Sequence, residues 1–248
     1  MNETLLSKLK PAYQTEARKQ EAMAAIPVFQ NESFFHGDNE KYRKMYNWMA
    51  HVYDFGETLG KLRYGKVVND FRRELVSKLE WENGKSVLYV SIGTGLDLKF
   101  VPDDVDFSSL DIVGVDISLG MLKKCQKSFR KHTNISLINC CAEELPFLDN
   151  CFDIVFHVGG INFFNDKQAA INEMIRVAKP GTKLLISDET QDHIDNQYNK
   201  VPVSKKYYEN QIFDLSELEE LIPSDAQEKK TELLWDNKFY AITFRKIS

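Results

Sequence analysis

Hydrophobic positions along this chain follow two rhythms, and the change comes at Ser86. Upstream, Tyr42, Met45, Tyr46, Met49 and Tyr53 recur at threes and fours, which places them on one face of a helix. A second helical pattern runs from about Tyr64 to Leu79 through Val67, Val68, Phe71 and Leu75. Residues 1–80 therefore read as a helical cap and 81–248 as a separate α/β domain.

From Ser86 onward short apolar runs alternate with amphipathic stretches. The runs are SVLYVSI (86–92), SLDIVGVDI (109–117), NISLINC (134–140), CFDIVFHV (151–158) and TKLLISDE (182–189). Such continuous apolarity predicts strands covered on both faces, as in parallel sheets flanked by helices. The segments between them, SLGMLKKCQKSFRKH and DKQAAINEMIRVAKPG, have helical spacing, and the second stops at Lys-Pro-Gly. The sum is a Rossmann-like doubly wound sheet, mostly parallel. FDLSELEELIP predicts a short helix with Asp214 as N-cap. KTELLW and KFYAITFRK predict a terminal antiparallel hairpin turned at Asp236 and Asn237.

Composition adds exclusions. The 248 residues are 43% hydrophobic with a formal charge of −5, so no electrostatic pull draws the whole chain to nucleic acid. No stretch reaches the roughly 20 apolar residues of a membrane span. The N-terminus lacks a secretory apolar core, and a cytoplasmic location is expected. Cys125, Cys140, Cys141 and Cys151 form no CxxC pair, so neither a zinc site nor a disulfide framework is expected.

The chemistry concentrates after the first strand, in Ile92-Gly93-Thr94-Gly95-Leu96-Asp97. Glycines there permit a tight turn and close approach to a ligand. Asp116 ends the second strand, where this fold presents a carboxylate to a ribose diol. It can also serve as N-cap of the following helix. A dinucleotide site wants a third glycine where Leu98 stands, which argues for a different adenosine cofactor.

At this point the chain resembles class I S-adenosylmethionine-dependent methyltransferases, closest to the quinone-biosynthesis C-methyltransferase-like branch. VLYVSIGTGLD, GVDISLGML, CAEELPF, CFDIVF and INEMIRVAKPGTKLLISDE carry the resemblance. It implies the seven-strand methyltransferase fold, S-adenosylmethionine as cofactor, and methyl transfer to a small apolar or aromatic acceptor. It further implies that Gly93, Thr94 and Gly95 line the methionine and ribose portion and that Asp116 holds the ribose. Ile117 and Met121 would sandwich the adenine, Ala142 and Glu143 would border its edge, and Tyr53 would close over the methionine part. His157 and His193 are candidate general bases, with His51 a third; a histidine near its ordinary pKa of about 6.5 suits proton abstraction. Phe29, Phe34, Phe35, Tyr42, Tyr46 and Trp48 would form an aromatic lid and acceptor pocket.

Three positions depart from the family pattern. Tyr89 stands where an acid is usual, Ser91 where the first glycine is usual, and Cys141 where an acid precedes Ala142. These departures keep open an alternative, a non-catalytic S-adenosylmethionine-binding sensor or partner subunit.

Overall fold

The computed structural model describes residues 3–22, 26–29, 36–197 and 212–247, with backbone alone at 21–22, 51–64 and 197. Its centre is a seven-stranded sheet in the order β3-β2-β1-β4-β5-β7-β6. The strands are β1 (Ser86–Val90), β2 (Asp111–Asp116), β3 (Ile135–Asn139), β4 (Ile154–Val158), β5 (Lys183–Glu189), β6 (Gln227–Leu234) and β7 (Phe239–Arg245). Neighbours from β3 to β5 pair in parallel, while β7 runs antiparallel to both β5 and β6. This is the expected mostly parallel sheet with a terminal hairpin, and the five runs beyond Ser86 became its five parallel strands. At the hairpin turn Trp235, Asp236 and Asn237 all have φ between 49° and 61°.

Two cores sandwich the sheet. On one face Leu88, Val90, Val113 and Val155 pack with α5 (Lys167–Val177) and with α1 (Glu3–Lys8). On the other, Val87, Tyr89, Ile112 and Phe156 pack under Phe71 and Leu75 of α3 (Gly37–Val76) and Leu122 of α4 (Leu119–Ser128). Single-residue alternation along each strand divides these side chains between the two layers. Among the described residues, the remaining α-helices are α2 (Pro11–Ala22), α6 (Gln191–Gln197) and α7 (Leu215–Glu220). Asp214 caps α7 as expected, accepting a bond from the Ser216 N–H at 2.9 Å.

The N-terminal region differs from a simple cap. The two helical patterns upstream of Ser86 are one 40-residue helix, α3. It contains no proline to break it, and its glycines weaken a helix without ending it. Before α3, Val28 bridges Asn139, so a short extended segment lies along the open edge of β3. Phe29 is buried in the sheet core there and is no lid residue. Edge strands invite further pairing, and this segment covers one.

Candidate active site

The cofactor-sized cleft lies where the strand order reverses, outside the carboxyl ends of β1 and β4. Open α/β sheets bind ligands at this point because adjacent connections leave in opposite directions. The cavity measures about 300 Å³.

After β1 the backbone turns through Ser91, Gly93 and Gly95, with φ of 57°, 55° and 75°. Ser91 thus holds the left-handed conformation that the glycine usual at its position would take freely. The Gly95 N–H donates to the Ile92 carbonyl at 2.8 Å and closes the turn. The two motif glycines serve different needs. A Cβ on Gly93 would meet nothing within 4 Å, so the loop leaves open space where it lines the cavity. A Cβ on Gly95 would stand 2.8 Å from Cys125 Sγ and 2.9 Å from the Phe129 ring. Gly95 is required for packing against α4, and it lies outside the cavity lining.

Asp116 ends β2 and secures this loop. Its carboxylate accepts from the Gly93 N–H at 2.8 Å and from the Ser118 N–H at 2.7 Å. Burial pushes the carboxyl up to about 6 against the opposing pull of those two donors. A carboxylate has about four acceptor positions, so two remain for a diol. The N-cap of α4 is Ser118, which accepts from the Met121 N–H at 3.2 Å; Asp116 does not cap that helix itself.

Ile117, Met121, Ala142 and Glu143 line the same end of the cleft. The Glu143 carboxyl is raised by burial and receives Asn39 Nδ2 at 2.7 Å. Cys141 is buried, with its thiol pushed up to about 12 by desolvation, and the neighbouring Cys140 lines the cavity instead. Thr94 and Ser91 line the middle.

At the far end stand Tyr42, Tyr46, Phe163, Phe164, Phe239, Asp188 and Glu189. Asp188 is the next-to-last residue of β5 and accepts from the Gly160 and Asn162 N–H groups at 2.9 and 3.0 Å. Burial raises its carboxyl to about 6.

The candidate bases separate. His157 is 0% exposed and lies outside the cavity lining, packed edge-on to Phe164. Neither ring nitrogen has a hydrogen-bond partner, and burial holds the imidazole down to about 3. It sits on the same face of the sheet as Val90, and its chain neighbours Val158, Gly159 and Gly160 reach the lining while its own ring does not. His193, on α6, has Nε2 3.8 Å from Glu189 Oε1 and packs beside Trp235 and Phe239. Burial lowers its pKa, with Lys238 adding to the effect. The side chains of Tyr53 and His51, and the whole of Phe34 and Phe35, lie outside the described residues. Of the expected lid, Tyr42 and Tyr46 reach the cleft, while Trp48 is 56% exposed.

Sequence reasoning missed Arg72, Asp97, Asp188, Asn39 and Phe239, all of which line the cavity. Asp188 had a legible signal, a carboxylate at the carboxyl end of a buried strand. Arg72 and Asn39 had none, because a long helix brings them in from far along the chain.

The residues fit S-adenosylmethionine: open space at Gly93, a carboxylate at Asp116 with acceptor positions to spare, and apolar walls in Ile117 and Met121. The ubiE/COQ5 methyltransferase family model matches residues 35–216. The chain belongs to that family.

Among curated members, a demethylmenaquinone methyltransferase of Renibacterium salmoninarum is 38% identical over 118 residues, 48% of this chain and 47% of that one. The ubiquinone/menaquinone biosynthesis C-methyltransferase UbiE of Geotalea daltonii is 30% identical over 151 residues, 59% of this chain and 62% of that one. The chain thus matches about half to three fifths of the length of these relatives. Among solved structures, phosphoethanolamine N-methyltransferase 2 of Haemonchus contortus with S-adenosyl-L-methionine superposes with a TM-score of 0.58. That pair shares 17% identity over 71% of this chain and 52% of the other, a likeness of fold. Among the described residues, no helix is long and apolar enough to cross a membrane.

Proposed function

We propose that this member of the ubiE/COQ5 family transfers a methyl group from S-adenosylmethionine to a small aromatic acceptor, of which a reduced quinone ring is the leading candidate. The observation that carries the reading is the clamp of Asp116 on Gly93 at one end of a cleft whose other end is aromatic. Family membership and the relatives named for quinone methylation support it.

When bound, the cofactor supplies a methyl already activated on a sulfonium, so the protein's task is alignment and exclusion of water. Asp116 accepts the ribose hydroxyls and Ile117 and Met121 flank the adenine. The loop from Ser91 to Thr94 borders the reactive centre. Phe163, Phe164 and Phe239 give a flat ring apolar walls, and Tyr42 and Tyr46 of α3 close the space from above.

A phenolic or enolic acceptor must lose a proton for its ring carbon to become nucleophilic. Glu189 lines the acceptor end and is the group we assign to that proton, with His193 beside it as positioning partner. His157 is given no part in the proton transfer, because it lies under the cleft rather than in it.

The test is transfer of labelled methyl from S-adenosylmethionine to reduced demethylmenaquinone and to simpler quinols. The reading expects labelled product and S-adenosylhomocysteine. Tight cofactor binding with no transfer to any quinol or phenol would overturn the reading in favour of a cofactor-binding sensor.

A further inference from the structure

The floor of the cleft holds a buried ion pair that the roles above do not use. Asp97 lies in the 3-10 turn Leu96–Phe100, just past the glycine loop, and is 3% exposed while still lining the cavity. One carboxylate oxygen accepts from the Tyr89 hydroxyl and the other from Arg72 of α3. The Tyr89 ring is fixed by stacking on Phe156 with centroids 4.1 Å apart. Burial, and then the Asp97 charge, raise the phenol well above its ordinary range, so it remains a donor at every relevant pH.

We propose that Asp97 and Arg72, held by Tyr89, form the subsite for the α-amino-acid end of the ligand. This rests on the cofactor reading above and assigns to it residues outside the glycine loop. An α-amino acid carries an ammonium and a carboxylate separated by one carbon. The Arg72–Asp97 pair presents the complementary charges side by side in one cavity wall: Asp97 takes the ammonium and Arg72 the carboxylate. Tyr89 and Arg72 occupy one acceptor position on each Asp97 oxygen, and the others remain for an incoming N–H. A charge buried in a protein is costly unless it is paired, and Arg72 and Asp97 balance each other here. The same geometry explains why β1 can carry a tyrosine at position 89. The carboxylate is supplied from eight residues further on, and the phenol reaches it.

The ligand set that tests this is S-adenosylhomocysteine and 5′-deoxy-5′-methylthioadenosine, which share the adenosine and differ in the amino-acid end. Calorimetry on the purified chain is expected to show Asp97→Asn binding S-adenosylhomocysteine about 10–100-fold more weakly, as for loss of a charged hydrogen bond. Its affinity for methylthioadenosine should stay within about twofold, because that ligand never touches the subsite. Tyr89→Phe keeps both charges and removes only the orienting hydroxyl. It should weaken S-adenosylhomocysteine by about three- to tenfold and spare methylthioadenosine. Equal loss of both ligands in Tyr89→Phe, or no loss of either in Asp97→Asn, would overturn the subsite while leaving the cofactor reading intact. A wild-type chain that binds neither ligand would overturn both.

Discussion

The Gly93 N–H and the Asp116 carboxylate, 23 residues apart in sequence, meet at 2.8 Å and join the first two strand ends into one ligand-binding edge. The carboxyl of Asp116 sits near 6 in the folded chain against an ordinary 3.8. A group raised on folding contributes stability below its unfolded pKa and loses it as pH rises through the folded value. Ligand affinity should run the other way, because only the carboxylate form accepts both hydroxyls of a ribose. Cofactor binding is therefore expected to weaken as pH drops from 7.5 to 5.5. In Asp116→Asn, affinity should fall about tenfold or more and its pH dependence should flatten, as calorimetry at both pH values would show.

His157 makes the opposite pH contribution. Its imidazole titrates near 6.5 when unfolded and is held to about 3 when folded. Stability from this site is thus present above 6.5 and is lost as pH falls toward 3. His157→Leu removes two buried nitrogens without partners, so it should raise the melting temperature at pH 5 more than at pH 7.5. Cofactor affinity should not change. A folded His157→Leu protein that had lost only its turnover would give the proton transfer back to His157.

The two motif glycines predict different failures. Gly95→Ala puts a methyl group into Cys125 and Phe129 at a left-handed φ, and should cost about 2–4 kcal/mol of stability. Gly93→Ala meets no neighbour, so its cost is the backbone conformation alone, about 1–2 kcal/mol. Its larger effect should be on cofactor affinity, since the methyl stands where the ligand approaches. Thermal melts paired with calorimetry separate the two. Equal melting temperatures for the two variants would contradict the division of roles.

Asn47 links α3 to the start of α4. Its Oδ1 accepts from Ser118 Oγ at 2.8 Å and from the Gly120 N–H at 2.9 Å. Asn39, one end of the same helix, holds Glu143. Asn47→Ala should cost about 1–2 kcal/mol and weaken cofactor binding without touching the ligand. A melt unchanged within error would mean that α3 is held by its apolar face alone.

Much of this was legible in the chain. The five parallel strands and the Asp116 position follow from short apolar runs and from an acid at a strand end, both local signals. Seven of the nine expected cofactor residues line one cavity: Gly93, Thr94, Asp116, Ile117, Met121, Ala142 and Glu143. Gly95 lies outside that lining: local sequence does not tell a glycine needed for a ligand from one needed for a helix packed behind it. His157, next to last in β4, reads in the sequence as standing at the ligand edge, and strand alternation buries its ring. The Arg72–Asp97 pair was illegible because one member comes from a helix whose register against the sheet is a tertiary fact. The place of Phe29 was illegible for the same reason: its neighbour Val28 pairs with the β3 edge, and Phe29 itself is buried in the sheet core.

The central claim is that this edge of the sheet holds S-adenosylmethionine. Titration of the purified chain by calorimetry with S-adenosylmethionine and S-adenosylhomocysteine, and with NADH as control, tests it most directly. The account predicts one saturable site for each of the first two and none for NADH. Absence of binding by both sulfur ligands, or equal binding of NADH, would contradict it.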